Sequence, residues 1–413
     1  MLNSFKNNIF FTKSSDLISC SINKQLYPKL LDIVLNNSKN DLYYKLKDSN
    51  LLFILNYPNE IIKAIDKSIQ NNFPYKSSYY PESINLELTT FCPLKCPQCY
   101  VHLEPGKYID KDFAISIIKE CGQLHTSSIN LSGGETMAYP YIFDLVKACN
   151  ENNVFSNIAI SGYNFDEIAL NKFINYNIGA IYVSLNGSTK EINSKTRDGF
   201  DLAINALKIL NKSTFDNYYI NWVAHDYNIS DLGNMVKLAK KFNCKGLVVL
   251  AFKPDSQNKL NGAPTYKNFI NLKNQIINYN SDTFNDDIFK IHIEDCYSSL
   301  VNCINNEDTI NENAINKEIP FGCSAGLSTM SVSVDGYFTP CRHINEKEKF
   351  NTILDYWTKS KFLNKLRHSH DDIREPCFSC KFSNTCCHCA AINYKINNDL
   401  YIGNEYCPIN DIN

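Results

Sequence analysis

Short apolar runs alternate with helical segments between residues 84 and 252, and this alternation restricts the fold more than any other feature of the chain. In the first helical segment Asp110 occupies an N-cap position, and apolar residues between Phe113 and Cys121 share one face before Gly122. Strands alternating with helices predict βαβ units and a parallel sheet, and six units suit an incomplete α/β barrel. The predicted strands are 84–88, 128–131, 157–161, 180–185, 217–224 and 246–252.

Three cysteines follow the first predicted strand directly, in the loop Cys92-Pro-Leu-Lys-Cys96-Pro-Gln-Cys99-Tyr100. Thiolates are the usual ligands of iron–sulfur clusters, and three of them at this spacing can bind three irons of a four-iron cluster. The fourth iron is then open to a substrate or cofactor. A zinc knuckle that lacks one ligand is the alternative, but the position of the loop after a strand favours the cluster.

This CxxxCxxC loop, closed by an aromatic residue, resembles the signature of the radical S-adenosylmethionine superfamily. The resemblance implies that the open iron chelates the amino and carboxylate groups of the cofactor's methionine moiety. It also implies that an electron from the cluster breaks a carbon–sulfur bond, so that a 5′-deoxyadenosyl radical abstracts hydrogen from the substrate. The protein contributes position and a water-poor cavity.

Two further motifs at strand ends agree with this resemblance. Ser132–Glu135 follows the second predicted strand and is similar to the family's GGE motif, which contacts the methionine amino group. A stretch from Ser184 to Arg197 is similar to the family's SLDG…RG, although Asn186 stands where aspartate is usual. Barrel enzymes carry their sites at the carboxyl ends of the strands. The residues that the resemblance assigns to S-adenosylmethionine are Gly133, Gly134, Glu135, Ser184 and Arg197.

The C-terminal cysteines form a second pattern, C-x12-G-x4-C from Cys323 to Cys341, then C-x2-C-x5-C-x2-C, and finally Cys407. This pattern resembles the SPASM domain, which holds up to two auxiliary four-iron clusters. A zinc ribbon is the alternative, because paired CxxC elements commonly bind zinc. The resemblance assigns the distal cluster to Cys377, Cys380, Cys386 and Cys407, and the nearer cluster to Cys323, Cys341 and Cys389.

Two departures from the family pattern leave ligands open. Cys386 and Cys389 are separated by two residues instead of three, so Cys387 is an alternative ligand. The nearer cluster also has no fourth ligand shortly after Cys323. The candidates for that ligand are Cys296, Cys303, Cys387 and a substrate thiolate.

The first 78 residues resemble, in length and pattern, the RiPP recognition element, a winged-helix-like α+β module. A leader peptide adds a strand to the sheet edge of that module. The pattern includes a helical segment from Leu26 to Leu35, and an arbitrary N-terminal extension is the alternative. The predicted regions are 1–78 for leader binding, 79–290 for a partial (β/α)6 radical SAM barrel, 291–318 as a bridge and 319–413 as a SPASM domain.

Composition excludes several other classes of protein. Lys and Arg number 41 against 43 Asp and Glu, so no basic surface for nucleic acid is expected. No apolar run approaches the ~18 residues that a membrane span needs. The start lacks the layout of a signal peptide, and the 17 cysteines are an odd number, so we expect a cytoplasmic protein.

Together these patterns predict a radical SAM oxidoreductase that matures a ribosomally made precursor peptide. Thioether formation from a cysteine, as in sactipeptides and ranthipeptides, is the leading expectation. The expected cofactors are S-adenosylmethionine and three [4Fe-4S] clusters, one radical SAM and two auxiliary, and the expected partners are a leader-bearing precursor and flavodoxin or ferredoxin. The sequence identifies no catalytic residue. The alternatives are a sulfatase-maturating-type protein oxidase, a peptide epimerase, a carbon–carbon crosslinking enzyme and a non-enzymatic electron-transfer or zinc-scaffold protein.

Overall fold

A computed structural model describes most of the chain, and the account below concerns only the residues it describes. The described residues are 2–5, 8–13, 18–23, 26–49, 51–56, 61, 77–78, 80–99, 106–253, 262–282, 289–297, 299–301, 321–383, 386–404 and 407.

The N-terminal residues form an α+β module with a hydrophobic core of its own, in which Leu30, Ile54 and Ile61 are fully buried. The helical segment predicted from Leu26 to Leu35 is confirmed within one residue at each end. Asn40 begins the second helix, and its side chain accepts the backbone N–H groups of the first turn. The elements are antiparallel strands β1 (Leu2–Phe5), β2 (Asn8–Lys13) and β3 (Ile18–Asn23), helices α1 (Tyr27–Asn36) and α2 (Asp41–Asp48), and a 3-10 helix at Leu52–Asn56.

The largest sheet contains all six predicted strands, each followed by at least one helix. The six strands are β4 (Ser83–Glu87), β5 (Ser128–Ser132), β6 (Phe155–Ile160), β7 (Ala180–Ser184), β8 (Tyr218–Val223) and β9 (Gly246–Leu250). The helices are α3 (Lys111–Leu124), α4 (Ile142–Glu151), α5 (Glu167–Asn175), α6 (Lys190–Ser194), α7 (Phe200–Asn211), α8 (Leu232–Lys241) and α9 (Tyr266–Asp282).

The sheet extends beyond these six strands at both edges. β10 (Lys290–Ile293) pairs in parallel with β9, and β12 (Thr329–Val332) pairs in parallel with β4. β13 (Phe338–Thr339) then pairs antiparallel with β12. Within the described residues the strand order is β10-β9-β8-β7-β6-β5-β4-β12-β13. The C-terminal region is therefore joined to the barrel through a continuous sheet.

Burial alternates along β4 because successive side chains point to opposite faces. Ile84 and Leu86 of β4 are fully buried in the core that also contains Ile117 and Ile118 of α3. The opposite face carries polar side chains, and Asn157 donates a 2.9 Å hydrogen bond to Asn130 across neighbouring strands. The sheet therefore has an apolar face that packs against helices and another face that carries polar side chains.

The C-terminal region adds a short parallel sheet and three helices. Trp357 connects this region to the segment that precedes β4, because its indole N–H donates to the Ser78 carbonyl at 2.9 Å. None of the helices in the described part of the chain has the length and apolar character needed to cross a bilayer. The additional elements are β11 (Phe321–Gly322), β14 (Cys386–Cys387), α10 (Ile353–Lys359), α11 (Lys361–His368) and α12 (Ala390–Asn397).

Candidate functional site

The loop after β4 holds Cys92, Cys96 and Cys99, all half-buried. The backbone N–H of Cys99 donates to the Cys96 carbonyl at 3.2 Å, which forms a tight turn between these two cysteines. Burial raises the pKa of Cys92 to about 11, and the charges of Glu135, Cys96 and Cys99 act in the same direction. The three predicted ligands therefore lie within electrostatic reach of one another and of Glu135.

The two glycines after β5 allow a close backbone approach to this cysteine loop. The Gly134 N–H donates to the Thr89 carbonyl at 2.6 Å, and the Glu135 N–H donates to the Phe91 carbonyl at 2.8 Å. A Cβ atom at Gly134 would lie 2.2 Å from the Phe91 carbonyl oxygen, and one at Gly133, where φ is +142°, would lie 2.5 Å from the Thr89 oxygen. Only glycine fits both positions, so the SGGE turn fixes the segment that leads into Cys92.

Glu135 joins the ends of β5 and β6. Its carboxylate is buried and accepts the backbone N–H groups of Met137 and Ser161, both at 3.1 Å, together with the Ser161 hydroxyl. Burial raises the pKa of Glu135, while these hydrogen bonds and the Arg197 charge lower it. Ser161, one residue after β6, is not among the residues that the resemblance assigns to S-adenosylmethionine.

Arg197 lies in a loop that contacts the cysteine loop. The neighbouring Asp198 accepts the backbone N–H of Lys95 at 3.2 Å, and a Cβ at Gly199 would lie 3.0 Å from the Leu94 side chain. The Arg197 Nε is buried and has no hydrogen-bond partner among the described residues. A buried guanidinium nitrogen without a protein acceptor fits an anionic group such as the carboxylate of a methionine moiety.

Ser184 and Asn186 lie at the end of β7. Ser184 pairs with Asn221 of β8 and is half-buried. The Asn186 amide nitrogen donates to the Thr196 hydroxyl at 3.0 Å, and its amide oxygen accepts the Val223 N–H at 3.1 Å. Asn186 therefore connects the Arg197 loop to the end of β8, which gives this departure from aspartate a structural role.

Four cysteines share one small core, in which Cys323 and Cys389 are buried and against which Cys296 and Cys341 pack. Cys389 is hydrogen-bonded to Cys296 and Cys323, and these bonds hold the pKa of Cys389 well below its usual value. Burial raises the pKa of Cys341 to about 11, and the nearby Cys389 acts in the same direction. Of the candidates for the fourth ligand, the structure brings Cys296 to this group. Cys303 lies outside the described residues.

Lys253 and Glu294 border this group, and the sequence analysis identified neither. The Lys253 ammonium donates to the Cys296 sulfur at 2.8 Å and to the Glu294 carboxylate at 3.0 Å. Burial lowers the pKa of Lys253, but the charges of Cys296 and Glu294 outweigh burial and hold that pKa well above its ordinary value. A lysine directly after an apolar strand was the available signal in the sequence.

The remaining C-terminal cysteines lie in a second region. The Cys377 sulfur accepts the Asn404 backbone N–H at 3.1 Å, and the Cys407 N–H donates to the Asn404 carbonyl at 3.0 Å. The Cys380 N–H donates to the Cys377 carbonyl at 3.2 Å, and Cys386 lies in β14. Across the described part of the chain, no three His, Cys, Asp or Glu side chains are arranged around a position for a single metal ion.

An open cleft borders the cysteine loop on the side of β5 and β6. Its wall is formed by the loops that follow these two strands and by Phe91, the residue before Cys92. Asp166 and Lys172 supply charged groups at this wall. Aromatic side chains line it at Phe91, Tyr108, Tyr139, Phe143 and Tyr163.

Residues 86–239 match the family model of the radical SAM superfamily. The curated relatives include a PqqA peptide cyclase of Gluconobacter oxydans (strain 621H), which is 29% identical over 168 residues, or 39% of this chain and 46% of the relative. A PqqA peptide cyclase of Ruegeria pomeroyi (strain ATCC 700808 / DSM 15171 / DSS-3) is 26% identical over 175 residues, or 41% of this chain and 46% of the relative. The chain therefore spans about half the length of these relatives.

The fold is similar to those of solved structures. Streptococcus suis SuiB bound to S-adenosylmethionine has a TM-score of 0.74 at 16% identity, and 98% of each chain is covered. SuiB bound to the precursor peptide SuiA has a TM-score of 0.72 at 17% identity and the same coverage. Native anSMEcpe with bound AdoMet and Cp18Cys peptide has a TM-score of 0.61 at 17% identity, covering 80% of this chain and 94% of that one. The cysteine loop and the SGGE turn both lie within residues 86–239, the segment that matches the radical SAM superfamily model.

Proposed function

We propose that this protein is a radical S-adenosylmethionine enzyme that matures a ribosomally made precursor peptide by forming a cysteine thioether. The observation that carries the enzymatic part is the SGGE turn, whose backbone hydrogen-bonds to the segment before Cys92. Close to it in the proposed site, the buried Arg197 Nε has no acceptor among the residues that the structure describes. A [4Fe-4S] cluster on Cys92, Cys96 and Cys99 supplies the reductive cleavage of S-adenosylmethionine.

The protein's own residues bind and orient the cofactor in this proposal. Arg197 pairs with the methionine carboxylate, because its buried guanidinium nitrogen has no acceptor among the described residues. Glu135 and Ser184 face the same site from the ends of β5 and β7. Because Glu135 also holds Ser161, it fixes the loop after β6 as well as contacting the cofactor.

Two auxiliary clusters complete the proposal. Cys296 joins Cys323, Cys341 and Cys389 around the nearer cluster, which supplies electron transfer. With four protein ligands, that cluster would not need a substrate thiolate as a ligand. The distal cluster is bound by Cys377, Cys380, Cys386 and Cys407.

The peptide substrate is supported by the N-terminal module and by the kinds of proteins that resemble this chain. The sheet of the module has β1 and β3 as its edge strands among the described residues, and an extended leader peptide can add a strand to such an edge. The similarity to SuiB covers 98% of both chains and therefore includes this module. We also place the enzyme in the cytoplasm, with flavodoxin or ferredoxin as its electron donor.

The test is the intact mass of a short cysteine-containing peptide encoded beside the gene. The peptide is incubated anaerobically with reconstituted enzyme, reductant and S-adenosylmethionine, with the Cys92→Ala variant as control. Loss of two hydrogens per modified site, with cysteines that no longer react with an alkylating reagent, would establish the thioether. Unchanged mass despite release of 5′-deoxyadenosine would contradict it, and deuterium uptake from heavy water would then identify epimerisation.

Protein oxidation of the sulfatase-maturating type is a second candidate, supported by the fold similarity that covers 94% of anSMEcpe. The two candidates differ in their need for a leader. Full-length enzyme should modify the complete precursor and lose most of its turnover on the same core peptide without its leader. Equal turnover of both peptides would favour the second candidate.

A further inference from the structure

Lys253 lies at the boundary between the barrel and the nearer cysteine group. It is the third residue after β9, and Cys296 is the third residue after β10, which pairs with β9 in parallel. Because β9 and β10 are neighbouring strands that run in the same direction, Lys253 and Cys296 both follow the carboxyl ends of strands at the same end of the sheet. Only 9% of the Lys253 side chain is exposed.

Every donor of the Lys253 ammonium has an acceptor within the protein. An ammonium has three N–H donors. Its Nζ lies 2.8 Å from the Cys296 sulfur, 3.0 Å from the Glu294 Oε2 and 3.4 Å from the Ala251 carbonyl oxygen. No N–H donor of Lys253 remains for a substrate. Lys253 therefore acts through its hydrogen bond to the Cys296 sulfur and is a positioning residue.

Glu294 fixes the orientation of Lys253. The same carboxylate oxygen accepts the Ala251 N–H at 2.9 Å, and the Glu294 N–H donates to the Val249 carbonyl at 2.9 Å. The carboxylate is thus tied to the end of β9 by one hydrogen bond, and the Glu294 backbone is tied there by another. Its side chain is 32% exposed, so water screens the Glu294 charge more than that of Lys253.

We propose that Lys253 is a fixed positive charge that raises the reduction potential of the iron–sulfur cluster bound by Cys296, Cys323, Cys341 and Cys389. This inference rests on the proposed function, since it requires a cluster at these cysteines. The potential of such a cluster depends on net local charge, on hydrogen bonds to its sulfurs and on exposure to solvent. Reduction adds negative charge, and a buried cation 2.8 Å from a ligand sulfur stabilises the reduced form.

Removal of the Lys253 charge and removal of the Glu294 charge should shift the reduction potential of the cluster in opposite directions. Removal of the Lys253 charge leaves a carboxylate near the cluster, which disfavours reduction. Removal of the Glu294 charge leaves the ammonium uncompensated, which favours it. Loss of both charges restores local neutrality, so the double variant should have a potential between those of the single variants.

The experiment is a redox titration of reconstituted full-length enzyme followed by electron paramagnetic resonance. Cys92, Cys96 and Cys99 are replaced by alanine so that only auxiliary signals remain. Lys253→Met should shift one of these signals to a more negative potential, Lys253→Arg should restore it, and Glu294→Gln should shift the same signal to a more positive potential. Shifts of equal sign, or no shift with full iron content, would overturn the inference.

Iron and sulfide analysis tests whether these cysteines bind a cluster at all, independently of the effect of Lys253 on the reduction potential. Cys296→Ala should lower the bound iron by about one cluster relative to its parent. Unchanged iron would overturn the cluster assignment and the inference together, whereas a lost cluster with an unshifted Lys253→Met potential would overturn only the inference. If the Lys253→Met variant loses iron, the redox titration of Glu294→Gln tests the inference instead. An unchanged reduction potential of the auxiliary cluster in that variant would contradict the proposed effect of local charge.

Discussion

The Glu135 carboxylate receives two hydrogen bonds from Ser161, one from its backbone N–H at 3.1 Å and one from its hydroxyl. Both residues are almost fully buried. The contact connects the SGGE turn after β5 to the loop after β6. It makes Glu135 a bridge between two neighbouring strand ends, and its assignment as a cofactor ligand stays a prediction.

The Ser161 hydroxyl should therefore matter for both stability and cofactor binding. Ser161→Ala leaves a buried carboxylate with one donor fewer, which costs about 1–3 kcal/mol in free energy of unfolding. We expect weaker binding of S-adenosylmethionine in the reconstituted enzyme because the Glu135 side chain loses its orientation. Equilibrium dialysis and urea unfolding measure the two effects.

Ser194→Ala is the matched control. The Ser194 hydroxyl donates to the Glu191 carbonyl on an exposed helix face. Its removal should change the free energy of unfolding by less than about 0.5 kcal/mol. Equal effects of the two variants would contradict the role given to Ser161.

The sequence predicted the six central strands because short apolar-rich runs recur there between helical segments. β10, with the sequence Lys290-Ile291-His292-Ile293, is four residues long and has two apolar residues, which is too little for a strand prediction. β12 was missed for another reason. It pairs with β4, more than two hundred residues earlier, and a pairing at that distance leaves no local pattern.

The candidate site was predictable where its residues are local in sequence. The cysteine loop and the SGGE turn are continuous motifs whose chemistry depends on spacing. The contact of Lys253 with Cys296 arises because two neighbouring strands end at the same edge, and it joins residues that no motif connects. The register of β9 and β10, which brings Cys296 beside Lys253, is not apparent from the sequence.

Gly134 should not tolerate a side chain. In Gly134→Ala the Cβ would lie 2.2 Å from the Phe91 carbonyl oxygen, so the backbone that leads into Cys92 must move. We expect reduced iron at the radical SAM cluster and loss of cofactor cleavage. Anaerobic reconstitution, iron analysis and the yield of 5′-deoxyadenosine provide the measurements.

Gly233→Ala makes the same chemical change without a clash. Gly233 lies within α8, and a Cβ there meets no atom within 4 Å. Alanine is favoured over glycine inside a helix by about 0.5–1 kcal/mol, so this variant should be as stable as its parent or more stable. Cofactor cleavage should be unchanged, and a loss comparable to that in Gly134→Ala would contradict the clash argument.

The two sets of cysteines should separate cofactor cleavage from product formation. In the proposed function Cys92 is a ligand of the cluster that cleaves S-adenosylmethionine, so Cys92→Ala should abolish this cleavage. Cys323→Ala and Cys377→Ala should retain cleavage while losing the crosslinked peptide. Chromatography of 5′-deoxyadenosine and mass spectrometry of the peptide measure the two outputs from one reaction. Cleavage that survives in Cys92→Ala, Cys96→Ala and Cys99→Ala alike would contradict the assignment.

His225 should contribute to loss of stability in acid. It is 3% exposed, and burial lowers its pKa from 6.5 to about 4. The unfolded chain therefore binds a proton between these two pH values while the folded protein does not, so stability falls as the pH decreases through this window. At one pH unit below 6.5 this single group costs about 1.4 kcal/mol in free energy of unfolding.

His225→Asn should remove this part of the pH dependence. Urea unfolding at pH 7.5 and pH 5.5 compares the two proteins, and the variant should lose about 1.4 kcal/mol less than its parent on acidification. The variant should be less stable than its parent at pH 7.5, because the buried imidazole packs against Phe252 at 5.5 Å between ring centroids. His125→Asn, at an exposed helix end, controls for the removal of one histidine from the chain. If parent and His225→Asn lose equal stability between the two pH values, the buried imidazole is not a source of the acid sensitivity.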